Sequence, residues 1–262
     1  MSDVYPWCIV AFDSLERSSA ERINMLKKLG FVKYAYDWRD KHLDEMDREL
    51  ELAKESNIEV ISVWLWLNAE RDSLGKLSSS NDRIFEILKK IQLRTTLWLS
   101  FSNNFFDGLT QEQSMSVAID MIKFVNAKAE EIGCQVALYN HHGWFGDPSN
   151  QVDIIKALPQ CSLSIVYNFH HAHEYLEEFP QIVKKIKPYL SWVNLNGIKE
   201  EGPQILPIGE GDYEFEMITL LINEGFEGPW GILGHVESED VKRVLERNIE
   251  GLNSLEIKAE SK

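Results

Sequence analysis

The 262-residue chain is 44% hydrophobic and 26% charged, which suits one large globular domain or two small ones with a substantial core. Its formal net charge is -15 with no block of Lys or Arg, and a phosphate backbone needs clustered cations, so no nucleic-acid partner is expected. No stretch is long and apolar enough to cross a bilayer, so no membrane partner is expected either, and Met1-Ser2-Asp3 lacks the basic and apolar regions of a signal peptide. The expected location is the cytoplasm, or the periplasm had a leader been removed.

Apolar runs of strand length alternate with longer amphipathic runs from one end to the other. A first strand is expected over Trp7–Phe12, followed by a helix opened by Ser18 and Glu21 at capping-box spacing. The second strand, Phe31–Asp37, runs into Trp38-Arg39-Asp40 and His42. The third and fourth are expected at Ile58–Trp66 and Thr95–Phe101. Thr110 with Gln113 opens the next helix, where Met115, Ala118, Ile122, Val125, Ala129 and Ile132 form one apolar stripe. The fifth strand, Gln135–Asn140, leads into His141-His142-Gly143-Trp144, and Asp147-Pro148 supplies a cap and a first-turn proline. The sixth, Ser162–Asn168, leads into Phe169-His170-His171-Ala172-His173. Leu190–Asn196 and Trp230–His235 complete the series, with Asp212 and Ser238 expected to cap the last two helices. Eight such repeats predict a single-domain α/β protein over residues 1–262, a (β/α)8 TIM barrel. No GxGxxG follows the first strand, which weighs against a dinucleotide-binding sheet. Cys8, Cys134 and Cys161 show no CxxC spacing and read as buried free thiols.

In such barrels the loops at the carboxyl ends of the strands form the active site. All seven histidines, His42, His141, His142, His170, His171, His173 and His235, fall just after expected strands, so the fold gathers them at one end. Imidazole suits proton transfer and metal binding near neutral pH. Asn140, Asn168, Asn194 and Asn196 are polar residues in or ending apolar strands; they either meet substrate hydroxyls or tie neighbouring loops together. Asp37, Arg39 and Asp40 either hold a substrate's polar groups or form a local ion-pair cluster. Trp38, Trp66 and Trp144 are candidate stacking faces for a sugar ring, Trp144 foremost, whereas Trp64, Trp98, Trp192 and Trp230 read as core. In Pro207-Ile208-Gly209-Glu210-Gly211-Asp212, Glu210 either projects into the mouth or belongs to a plain turn.

The ILPIGEGDYEF segment followed by INEGFEGPWGIL resembles the closing third of the xylose isomerase-like barrels, the sugar phosphate isomerase/epimerase superfamily. The Asn168-Phe169-His170-His171 run stands where that family has Asp-x-x-His, and the eight-unit layout matches nearly the whole chain. The resemblance implies a divalent metal held by Glu, Asp, His and Glu from strands five to eight. The matching residues here are Tyr139, Asn168, Asn194 and Gly234, so the usual ligands are absent and this is a divergent member. If a metal binds at all, His142, His171 and His235 are its candidate ligands.

The resemblance and the residues together predict an isomerase- or epimerase-like enzyme acting on a small carbohydrate by removing a proton next to a carbonyl, a lyase being a variant of the same chemistry. His142 and His171 are the expected proton-transfer pair, with His235 and Glu210 behind them. Asp37, Trp38, Arg39, Trp66, Asn140, His141, Trp144, Asn168, His170, Asn194, Asn196 and Lys199 are the expected substrate-binding residues. The alternative is a catalytically silent barrel that binds carbohydrate or serves as a partner subunit. Oligomeric state is open.

Overall fold

The computed structural model describes residues 3–260, with side chains described through residue 255; Met1 and Ser2 lie outside the described residues. Eight strands alternate with eight α-helices among them: β1 (Val4–Trp7), α1 (Ser19–Leu29), β2 (Lys33–Tyr36), α2 (Met46–Glu55), β3 (Glu59–Leu67), α3 (Ser79–Lys90), β4 (Thr96–Phe101), α4 (Gln111–Glu131), β5 (Gln135–Tyr139), α5 (Pro148–Ala157), β6 (Leu163–Asn168), α6 (Phe179–Ile186), β7 (Leu190–Leu195), α7 (Glu214–Asn223), β8 (Trp230–Leu233) and α8 (Val241–Glu260). The strands pair in parallel in the order β1-β8-β7-β6-β5-β4-β3-β2, and β1 packs against β2, so the sheet curls into a nearly closed (β/α)8 barrel. No described helix is long and apolar enough to cross a membrane.

Strands covered on both faces need apolar residues at successive positions, and all of β4 is buried accordingly. Outside the sheet, Ala118, Ile122, Val125 and Ala129 of α4 are buried, as the helical stripe requires, while Met115 and Ile132 are half-buried at its ends. Inside, a separate cluster fills the barrel with Tyr5, Trp7, Ala35, Trp98, Ala137, Tyr139, Val166 and Leu233. Capping boxes form at Ser18/Glu21 and Thr110/Gln113, and Asp147 caps α5 with Pro148 in its first turn.

Three expectations are corrected. The first strand is Val4–Trp7, not Trp7–Phe12, because Cys8 turns into the left-handed region (φ 57°) and sends the following apolar residues into a buried loop. The N-cap of α7 is Tyr213, not Asp212. The start of α8 is capped by Asp240, not Ser238: its side chain accepts from the Lys242 N–H and its carbonyl from Val244.

Buried carboxylates shape the loops at the carboxyl end. Asp37 is wholly buried and accepts the backbone N–H groups of Ile9, Val10 and Ala11 at 2.8–2.9 Å, fastening the loop after β1 to the end of β2. The Asp37 carboxylate is thus committed to the backbone, and it forms no ion pair with Arg39 among the described residues. Asp72 accepts from Asn68, Ser78 and Asn81 and organises the loop after β3. Glu214 accepts from Ile198, Gly209 and Gly211 and draws in the loop after β7. At Gly211 a Cβ would stand 2.0 Å from that carboxylate, so the GEG segment serves the turn itself. Replacing Asp37 by Ala strands three amide donors with little access to water. Unfolding in urea is expected to show a loss of at least about 3 kcal/mol, and Asp37→Asn, which keeps an acceptor oxygen, a smaller one.

Candidate active site

A cavity of about 680 Å³ opens at the carboxyl ends of β2 and β3, lined by Trp38, Arg39, Asp40, Lys41, Trp64, Trp66, Asn68, Arg71, Ser80 and His141. Its volume falls in the range of small-molecule sites, ~300–1,000 Å³. Tryptophan forms the walls. The Trp38 indole N–H donates to the Trp64 carbonyl at 2.7 Å, and Trp64 and Trp66 meet edge to face at 5.5 Å. Arg39 donates to the Trp38 carbonyl and lies 4.9 Å from the Phe12 ring centroid. Asp40 binds Arg71 at 3.3 Å and Ser80 at 2.8 Å across the rim.

Beside this cavity the loops after β5, β6 and β8 bring five imidazoles together. The His171 ring centroid lies 4.5 Å from His141, 4.4 Å from His142 and 4.4 Å from His170, and His235 lies 5.4 Å from His170. His171 Nδ1 and His142 Nε2 are 3.1 Å apart, so one ring donates to the other. His170 Nδ1 donates to the Gln204 carbonyl at 3.3 Å, which leaves its Nε2 as the acceptor. Burial, followed by the neighbouring imidazoles His142, His170 and His235, pushes His141 down to about 3. Burial holds His170 at about 4 against the opposing pull of the Gln204 carbonyl. His235 is lowered to about 4 by burial and then by His170 and Arg39, and His171 is held well below the ordinary imidazole value by burial and then by His170, His141, His142 and His235. Four histidines are thus neutral at physiological pH. His42, His170, His171 and His173 sit in short 3-10 turns at strand ends; His42 is bound by the Arg39 N–H outside the cluster.

A family model described as xylose isomerase-like TIM barrel matches residues 34–255. The chain belongs to that family. Solved structures of similar fold include a probable 3-DHS dehydratase from Bacillus anthracis, 14% identical over 97% of this chain and 99% of that one, with a TM-score of 0.71. Another is D-psicose 3-epimerase from Clostridium cellulolyticum H10 with D-tagatose, 14% identical over 97% and 98%, TM-score 0.66. A third is the IOLI protein with a binding zinc atom, 12% identical over 97% and 98%, TM-score 0.73. No curated protein matches the chain. At these identities the likeness is one of fold.

The donor set at the family's metal position in this xylose isomerase-like barrel does not fit a divalent metal. The Tyr139 hydroxyl accepts from the Trp7 indole at 3.2 Å and from the Asn168 amide. Asn194 Oδ1 accepts from the Tyr5 hydroxyl at 2.9 Å. On β8 the inward residue is Leu233, packed in the interior cluster. Gly234, matched to the fourth ligand from sequence, faces outward: a Cβ there would meet Val241 and Ile9 at 2.6–2.7 Å. A phenol, two carboxamides and an alkyl group supply no anionic ligand. Nor do His142, His171 and His235 converge, since His142 meets His171 while His235 stacks on Phe12 and His170. Among the described residues no three His, Cys, Asp or Glu side chains are arranged to hold a metal ion.

The remaining expected residues separate into two groups. Trp38, Arg39, Trp66 and His141 line the cavity, joined by Trp64, which the sequence reading placed in the core, and by Lys41, Asn68, Arg71 and Ser80, which it did not single out. The Asn140 side chain donates to the Asn168 carbonyl and accepts the Asn168 N–H, which ties β5 to β6, while Asn168 Oδ1 accepts the His170 N–H. Asn194 Nδ2 and Asn196 Oδ1 are buried without a partner among the described residues. Trp144 turns away from the cavity, packing on Phe106 and donating to Gln111. Lys199 and Glu210 lie on the loop after β7 outside the cavity lining, and Glu210 is exposed.

The lowered histidines fix the sign of a pH effect. An unfolded imidazole titrates near 6.5, so between about pH 6.5 and 4 the unfolded chain binds protons that the folded chain does not. Stability is full above pH 6.5 and falls with acidification. Urea unfolding between pH 6 and 5 is expected to show a slope of at least three protons, each about 1.4 kcal/mol per pH unit. His170→Gln removes about one of them; a flat profile contradicts the reading.

Proposed function

We propose that this barrel is a sugar isomerase- or epimerase-like enzyme that withdraws a proton next to a carbonyl at the carboxyl-end mouth, on a small carbohydrate or carbohydrate derivative. One observation carries the proposal: His141 is both a wall of the tryptophan-lined cavity and a member of the five-imidazole cluster. Its ring meets Trp66 at 4.9 Å on one side and His171 at 4.5 Å on the other. The Trp64 indole N–H and His141 Nδ1, both buried, have no partner among the described residues, so polar capacity remains at the cavity's inner wall.

The chemistry needs a group that stabilises the enediolate oxygen and one that takes the proton. A neutral imidazole serves the first purpose, because it donates an N–H to the carbonyl oxygen without first being titrated. We assign that role to His141. As the C–H bond breaks, its electron pair forms the enediolate double bond and the carbonyl π pair moves onto the oxygen facing His141. The His142–His171 pair, in ring contact with His141, is the proton acceptor. Delivery of the proton to the neighbouring carbon, with the original carbon's hydroxyl proton passing to the first oxygen as the new carbonyl forms, gives isomerisation. Delivery to the other face of the original carbon, with the first carbonyl reforming, gives epimerisation. Glu210 and His235 have no place in this scheme.

The second reading, a silent carbohydrate-binding barrel, is favoured by one observation: phenol, amide and alkyl groups stand at all four metal-ligand positions. Proton NMR of a panel of aldoses, ketoses and keto-sugars in D2O separates the two. Deuterium entering next to a carbonyl, unaffected by EDTA and reduced at least about 100-fold by His141→Gln, supports the enzyme. Line broadening without exchange across the panel supports the binder.

A further inference from the structure

The cavity reverses the charge of the molecule around it. The chain carries -15 overall, yet the cavity lining holds three cations, Arg39, Lys41 and Arg71, against one carboxylate, Asp40. Two of the cations are already matched. Lys41 Nζ lies 2.7 Å from Glu16, and Arg71 lies 3.3 Å from Asp40. Arg39 is different: it makes no ion pair among the described residues, and its only side-chain hydrogen bond goes to the neutral Trp38 carbonyl. Its guanidinium stands against aromatic rings, 4.9 Å from the Phe12 centroid and 5.9 Å from that of Trp64. A guanidinium held on aromatic faces keeps its planar fork of donors, and that fork matches a carboxylate in two parallel hydrogen bonds.

We propose that the cavity takes a sugar acid, with the substrate's carboxylate seated on Arg39 and its ring against the tryptophan walls. This inference rests on the reading of the cavity as the substrate site. One unmatched cation balances a single negative charge. A phosphate near neutral pH carries up to two, and the second would have to draw Lys41 from Glu16 or Arg71 from Asp40. The charge count therefore favours a monocarboxylate over a phosphate monoester.

The test is calorimetric titration of the full chain with a panel of aldoses, the matching uronates and the matching 6-phosphates, at low and high salt. The uronate of at least one sugar is expected to bind about tenfold or more tighter than its aldose and tighter than its 6-phosphate, the preference shrinking as salt rises. Arg39→Gln, which melts as the parent does, should bring the uronate down to the affinity of the aldose; Arg39→Lys, with charge but no fork, should restore only part of it. Equal binding of aldose and uronate, tighter binding of the 6-phosphate, or a preference that survives Arg39→Gln overturns the sugar-acid proposal alone. No binding by any member overturns the reading of the cavity as a carbohydrate site and the proposal with it.

Discussion

A phenol buried on the barrel axis organises the site. Tyr139 packs among Trp7, Trp64 and Trp98, receives hydrogen bonds from Trp7 and Asn168, and forms the floor beneath His141 and His171, with ring centroids 6.4 and 5.8 Å away. Burial pushes its own ionisation far up, so it stays a neutral phenol. Two consequences follow from the same packing. The space that a metal and its carboxylates need is filled by the protein's own side chains, and the imidazoles above rest on apolar ground. In water, crowding five imidazoles would matter little. On this floor burial disfavours the protonated forms of His141, His170, His171 and His235, and neighbouring imidazoles lower them further.

Under the proposed reaction, the cluster would meet an enediolate by hydrogen-bond donation. The cavity lies to one side of it, at the ends of β2 and β3, where aromatic walls and an unpaired guanidinium can grip a polar ligand. His141 is the hinge of this arrangement, since it alone of the five belongs to both. The loops that carry these groups are held rigid by buried carboxylates, Asp37 and Asp72 on the cavity side and Glu214 on the far side, each gathering backbone amides. Such preorganisation keeps donors in place before substrate arrives.

The barrel was legible in the sequence because strand and helix periods alternate without interruption, and α4 alone shows its buried stripe position by position. The first strand was misplaced since an apolar run reads the same in a strand and in a buried loop; only the fold reveals that Asp37 receives the amides of residues 9–11. The histidine gathering was legible as a consequence of topology. Its internal geometry was not: which imidazole meets the cavity depends on side-chain alternation and on the turns after β5 and β6, and that choice fell on His141 rather than His142 or His171. Gly234 was matched to a ligand position by the family resemblance, whereas Leu233 faces inward, a one-residue difference that changes the face. Arg39 and Lys41 stand two residues apart after β2 and Arg71 lies after β3, with no motif joining them, so their convergence was invisible until β2 and β3 were set side by side. Trp144 read as the foremost stacking face on a tip loop, but Phe106 and Gln111 claim it.

The central claim is that packing on the Tyr139 floor keeps the histidine cluster neutral. Nitrogen-15 NMR of histidine-labelled protein, followed from pH 8 to 4.5 with each ring assigned by single substitution, tests it directly. The account predicts that His141, His170, His171 and His235 keep the chemical shifts of neutral imidazole to below about pH 5. Titration of these rings near pH 6.5 would contradict it.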